Sequence, residues 1–268
     1  AFFVATLVSG VGQPFVGRLY DGLGGRRVIL TSLVIIGVCL LLLSLTFHIL
    51  FLVLIYGVVL SIGMSGGSLS TTVLLVARWY RRKRAAALGL TTAGASLGGL
   101  TLVPFAAYLM DLTSWRMTWF ALGLLVLGLA LPLSYLLLRN DPSELGLQPD
   151  GDPELPPEAD PSRAAASKSG PLFTQHWRDS FGSSPIWQLS AAFFVCGFTT
   201  SIIAVHFVPY AEGEGYSRSM AATAFGVMSG INVVGVILIT HMSDRLGRKN
   251  LLAAAYVMRG LAYVVLLL

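Results

Sequence analysis

The chain has 268 residues, 55% of them hydrophobic and 12% charged, with a formal net charge of +5 at pH 7. A soluble domain carries about 25% charged residues, and no water-soluble fold of this length hides so much apolar surface; the mean hydropathy is +0.75. The surplus of cations fits loops facing anionic lipid rather than a nucleic-acid surface.

Asp, Glu, Lys and Arg are absent from 28–77, 85–110, 117–138, 186–211 and 219–243. A spanning helix needs roughly 20 apolar residues. The first of these runs holds two passes, with a break near Phe47-His48. Eight spans are expected, at 1–17, 28–47, 50–76, 85–109, 115–138, 185–210, 217–240 and 250–268. The runs are long and continuous, unlike the short alternating strands of a membrane barrel, so the fold class is all-α, a polytopic helical bundle. The first and last residues both lie inside apolar runs, without a basic flank or cleavage site. The chain is therefore expected to be an internal stretch of a longer protein. Cys39 and Cys196 lie in apolar runs without metal-ligand spacing and read as small core residues.

Between the first two spans stands Gly17-Arg-Leu-Tyr-Asp21-Gly-Leu-Gly24-Gly-Arg26-Arg27. It holds one carboxylate, glycines for a tight turn and a cluster of arginines. A second copy is Thr240-His-Met-Ser-Asp244-Arg245-Leu-Gly247-Arg248-Lys249, in which Asp244, Gly247 and Lys249 match Asp21, Gly24 and Arg26. An aspartate here is placed to accept hydrogen bonds from a neighbouring helix N-terminus, and the arginines to form charge-assisted bonds across the bundle. Fifteen Lys and Arg residues fall on the side of these two turns and two, Arg116 and Arg218, on the other. The turns are thus expected to face the cytoplasm.

Residues 139–184 form an expected linker. Its Pro- and acid-rich part cannot build a packed core. Near its end Leu172, Phe173, Trp177 and Phe181 surround His176 and Arg178, which suits either a short interfacial helix or an irregular aromatic lead-in. The two motif copies stand six spans apart. The expected organisation is therefore an N-terminal bundle at 1–138 without its first helix, the linker at 139–184, and the start of a C-terminal bundle at 185–268 without its last three helices.

The paired motif resembles the signature of the major facilitator superfamily, Gly-x-Leu-x-Asp-x-x-Gly-basic-basic after the second helix with a weaker copy after the eighth. Gly17, Leu19, Asp21, Gly24, Arg26 and Arg27 fit it, while Gly25 and Thr240 depart from it. The resemblance implies two bundles rocking about a central site in alternating access, with Gly17, Asp21, Gly24, Arg26, Arg27, Asp244, Arg245, Gly247, Arg248 and Lys249 as a gating motif. Softer patterns resemble the monocarboxylate-transporter and oxalate/formate-exchanger branch. They are Arg78-Trp79-Tyr80-Arg81-Arg82-Lys83-Arg84 with Gly89, Gly94, Ser96 and Gly98, then Ser114-Trp115-Arg116, the stretch Asn140 to Gly151, and His206 with Pro209.

Five residues are candidates for substrate or proton. Arg259 lies ten residues past Lys249, about 15 Å along a helix and near the middle of a ~30 Å core. It pairs either with an anionic substrate or with a carboxylate on another helix. His206 serves proton coupling or an outer-gate hydrogen bond. Asn232 lines the cavity or joins two helices. Thr92 and Thr199 are polar positions of a kind that mostly bond to their own helix. Gly94/Gly98 and Gly226/Gly230 have the small-xxx-small spacing of closely packed helices. Gly98-Gly99 lacks the Gly-Pro pair of the family's antiporters, which weighs against antiport. The resulting expectation is a monomeric, multi-pass carrier in the cell membrane. It moves a small organic anion such as a monocarboxylate, with a co-transported proton and no cofactor. The alternatives are a polytopic membrane transferase, which needs a His/Asp/Glu cluster at one face, and a non-transporting sensor on the same bundle.

Overall fold

The computed structural model describes residues 1–80, 84–151, 179–246 and 248–266, with side chains at all of these except 85, 151, 179, 180, 240, 241, 243–249 and 266. The described residues form helices and short 3₁₀ turns, with no strand. The helices are α1 (Phe2–Leu23), α2 (Gly25–Ser44), α3 (Ile49–Trp79), α4 (Arg84–Leu112), α5 (Trp115–Leu137), α6 (Ser184–Gly213), α7 (Arg218–Leu246) and α8 (Arg248–Leu266). Among the described residues seven helices are long and apolar enough to cross a membrane, and α8 contributes a shorter apolar helix, Asn250–Val265.

The helix ends are set by local chemistry. His48 caps α3 by accepting the Leu50 N–H on Nδ1 at 3.1 Å, and Ser114 caps α5 by accepting the Met117 N–H on Oγ at 3.3 Å. Both are side-chain N-caps of the kind that satisfy orphaned first-turn donors. The Arg116 guanidinium donates to the Thr46 carbonyl just past α2, at 2.9 Å. Within α3 a π-helical turn, Ile55–Leu60, is followed by a break at Gly67, after which Ser68 restarts the helix as an N-cap. A second π-turn, Val126–Ala130, lies inside α5.

The chain divides into two compact units, Ala1–Gly151 with Ala222–Leu268, and Asp152–Ala221. The first unit is organised around α2. Its core is Cys39, Leu40 and Leu43 with Ile55 and Leu60 of α3, lined by Trp119, Leu122 and Val126 of α5. Two glycines let α2 and α5 approach reciprocally. Leu41 of α2 lies over Gly123, where a Cβ would come within 2.8 Å of its Cδ2. Leu127 of α5 fills the space over Gly37 in turn. On the other side α1 meets α3 through a polar contact in an apolar setting. Ser9 and Ser65 share a hydrogen bond at 3.1 Å, and the fully buried Ser65 also donates to the Ser61 carbonyl at 2.8 Å. Helix α7 rests on α4 where Gly226 faces Pro104 and Gly230 faces Leu100. Of the two small-xxx-small pairs, only Gly226/Gly230 packs in this way. A Cβ at Gly94 or Gly98 would meet no described group within 4 Å, and it is Gly99 that abuts Ser229.

The second unit contains a 3₁₀ turn, Asp179–Gly182, then α6 and the start of α7. The Trp187 indole N–H donates to the Phe181 carbonyl at 2.7 Å, folding the lead-in back on the helix. Arg218 and Glu212 pair at 2.7 Å across the turn at Gly215, whose φ is +90°. Residues 172–178, which carry the expected interfacial segment apart from Phe181, lie outside the described residues.

Candidate gating site

The motif stretch is mostly helix rather than loop. Helix α1 runs through Gly17, Asp21 and Leu23, and only Gly24 separates it from α2. Apolar packing holds the lower turn, with Val16, Tyr20 and Val28 buried together. Gly24 reverses the chain with φ +82° and ψ 153°, a region that L side chains avoid. Its N–H donates back to the Tyr20 carbonyl at 3.0 Å. Gly25, where the superfamily signature has a basic residue, is covered by the Tyr20 ring. A Cβ at Gly25 would sit 2.6 Å from Tyr20 Cε2. A side chain at Gly25 would have to displace the buried Tyr20 ring, which occupies that space.

The residues that hold the turn come from elsewhere in the chain. The Arg26 backbone N–H donates to Asn140 Oδ1 at 2.8 Å, and Arg26 Nη2 donates to the Tyr135 carbonyl at 2.9 Å. The Arg26 guanidinium also lies 5.1 Å from the Tyr135 ring centroid, within cation–π range. Arg78, at the end of α3, stands 5.3 Å from the Tyr20 ring centroid and pairs with Asp141 at 3.4 Å. Beside it the Trp79 indole N–H donates to the Arg139 carbonyl at 3.3 Å. The Asn140 N–H donates to Glu144 Oε1 at 3.3 Å, fixing a 3₁₀ turn, Pro142–Leu145. Ala77, Arg78 and Asp141 to Ser143 edge a shallow polar hollow of about 360 Å³.

The motif itself points to an aspartate and two arginines, Asp21, Arg26 and Arg27, at the centre of this site. Asp21 is exposed, and no described group bonds to it; Arg27 is exposed too. Among the described residues the carboxylate that pairs with an arginine here is Asp141, with Arg78, while Arg26 is engaged by Asn140 and Tyr135. Asn140 and Asp141 belong to the Asn140–Gly151 stretch, which in the sequence stood as part of the linker and as one of the softer branch patterns, with no part in the turn. Gly17 has open space where a Cβ would go.

For the second copy, α7 ends at Leu246 and α8 begins at Arg248, a spacing of helix ends matching Leu23 and Gly25. The side chains of Asp244, Arg245, Arg248 and Lys249, and the whole of Gly247, lie outside the described residues.

The solute candidates are spread along several helices. Thr92 donates to the Leu88 carbonyl at 2.9 Å and Thr199 to the Val195 carbonyl at 2.7 Å, both within their own helices. His206 Nδ1 lies 3.2 Å from the Ile202 carbonyl one turn back. Asn232 is exposed on α7, and Arg259 is half-buried on α8.

The architecture is that of a multi-pass helical membrane protein. A sequence profile described as Major Facilitator Superfamily matches residues 1–268, and the chain belongs to that family. The relatives it matches are named as transporters. It is 27% identical over 264 residues to the uncharacterized MFS-type transporter YcxA of Bacillus subtilis (strain 168), covering 98% of this chain and 60% of that protein. It is 25% identical over 218 residues to monocarboxylate transporter 12 of Rattus norvegicus, covering 74% of this chain and 43% of that protein. It is 26% identical over 246 residues to the MFS-type transporter pynF of Aspergillus niger, covering 91% and 51%. The chain thus spans about half the length of these curated relatives.

Proposed function

We propose that this chain is part of a secondary active transporter that moves a small organic anion, a monocarboxylate in the first instance, by alternating access. The Gly17–Arg27 turn is its gate, facing the cytoplasm as the fifteen-to-two distribution of cations favours. The observation that carries the gate is the tie between the turn and the end of α5. Arg26 is bonded to Asn140 and Tyr135, while Asp21 stays exposed. An exposed carboxylate on a braced turn is a group ready to be engaged in one state and released in the other, and such a differential contact biases a two-state equilibrium. Support for the substrate class comes from the likeness to monocarboxylate transporter 12 and from the cation Arg259, with His206 the candidate to carry the coupled proton. The Asp244–Lys249 copy serves as the matching element of the second half.

The test is uptake of labelled lactate, pyruvate, oxalate and formate into vesicles holding the protein, with and without an inward proton gradient. Gradient-driven accumulation of at least one acid is expected. Asp21→Asn should cut that uptake about tenfold or more, the effect of one lost charge-assisted contact, with membrane insertion unchanged. Normal uptake in the mutant rules out the gate, and no accumulation of any of the four acids rules out the substrate class.

A further inference from the structure

Helix α2 begins without a cap of its own. Four N–H groups at a helix start lack intrahelical partners, and a Ser, Thr, Asp or Asn at the preceding position usually accepts one of them. Here that position is Gly24, which has no side chain and makes no side-chain cap. The N–H that a cap would take, at the second helical residue Arg26, donates instead to Asn140 Oδ1, 114 positions along the chain, at 2.8 Å. A Cβ at Gly24 would lie 3.0 Å from that same oxygen. The glycine therefore leaves room for a cap that arrives from another helix.

The exchange runs both ways. Tyr135 lies in the last turn of α5, where carbonyls lack intrahelical donors, and its carbonyl accepts from Arg26 Nη2 at 2.9 Å. A cation at a helix C-terminus is also favoured by the dipole. So the start of α2 and the end of α5 cap one another. The segment carrying Asn140 is braced in turn, by Glu144 on the Asn140 N–H, by Arg78 on Asp141 and by Trp79 on the Arg139 carbonyl.

We infer that Asn140 is a positioning residue for the gate. It is the N-cap of α2 supplied in trans, and the strap from Leu138 to Leu147 fixes the Gly24 turn and, through it, the placement of Asp21. This rests on the reading of the turn as a gate.

The experiment compares Asn140→Ala and Asn140→Asp in the vesicle-reconstituted protein, reading amide hydrogen exchange and acid uptake together. Asn140→Ala should raise exchange in the first turn of α2, at Gly25 to Val28, about fivefold, the effect of one lost cap. Exchange at the α2 core, Cys39 to Leu43, should stay unchanged. The maximal uptake rate should fall severalfold with KM unchanged, because the solute site is untouched. Asn140→Asp keeps an acceptor that suits a helix N-terminus and should restore both readouts, so the proposal stays testable even where the alanine variant fails to insert. Unchanged exchange at Gly25 to Val28 in Asn140→Ala, a failure of Asn140→Asp to restore it, or normal uptake with a loosened turn each overturns the proposal. Normal uptake in Asp21→Asn is a separate result and overturns the gate reading itself.

Discussion

Gly24 is asked for two things at once. Its φ of +82° belongs to the region that glycine populates freely, and its missing Cβ leaves Asn140 its place. Gly24→Ala should therefore add crowding against Asn140 to the roughly 1–3 kcal/mol of holding alanine in a glycine-only backbone region. A total of about 3 kcal/mol, with a crowding term of the size seen for overpacked sites, is expected from the thermal midpoint in detergent. A drop no larger than that of Gly22→Ala, at a helical position with open space around it, would mean that the turn relaxes without cost. Neighbouring residues divide their work in a way that residue type alone does not disclose. Arg26 is spent on α5 and Asn140, while Arg27 is exposed. Two adjacent arginines read identically in a motif, but helix geometry turns consecutive residues about 100° apart, so only one of them faces α5.

At the scale of helices, apolar length was legible and helix ends were less so. The runs placed the spans because lipid demands continuous apolar stretches with every backbone group satisfied internally. The expected end of the first span at residue 17 falls short of Leu23. The polar residues Arg18 and Asp21 extend the helix beyond the apolar run, since a helix does not end where its side chains become charged. The π-turns at Ile55–Leu60 and Val126–Ala130 carried no recognisable sequence signal. The glycine pattern was half legible. Gly226 and Gly230 pack on α4, while Gly94 and Gly98 face open space among the described residues, because small-xxx-small spacing defines a stripe on a helix and not the partner that meets it. The contact of α2 with α5 depends instead on Gly37 and Gly123. Gly123→Val would drive a side chain into Leu41, whose backbone nitrogen lies only 3.1 Å from a Cβ at that site. It should destabilise the bundle by about 2–3 kcal/mol, read as a lowered thermal midpoint, whereas Gly128→Val, at a position with nothing within 4 Å, should leave the midpoint within error.

For the whole molecule, the distribution of cations makes a directional claim. With the Arg-rich turns toward the cytoplasm, a cysteine at Ser143, on the strap, should react with an impermeant maleimide only from the cytoplasmic side. A cysteine at Ser217, between α6 and α7, should react only from the opposite side. Labelling of both from one side would remove the proposed orientation. The six-span interval between the two Asp-Gly-basic copies is the sequence basis for two related halves. The family match over residues 1–268 agrees with the superfamily that the motif resembled.

The sequence by itself settled that this is an all-helical membrane chain of a transporter family, and where its apolar runs lie. Those properties are one-dimensional: apolar content over a fixed length decides what enters the bilayer, and a repeated motif is visible wherever it occurs. Only the tertiary structure decided which groups hold the turn. Asn140 and Arg26 are bonded though 114 positions apart, and Asp141 rather than Asp21 takes the nearby arginine, Arg78. A hydrogen bond needs two groups within about 3 Å in the right direction, and which helix ends come that close is fixed by how the helices pack, through contacts such as Leu41 on Gly123 and Leu127 on Gly37.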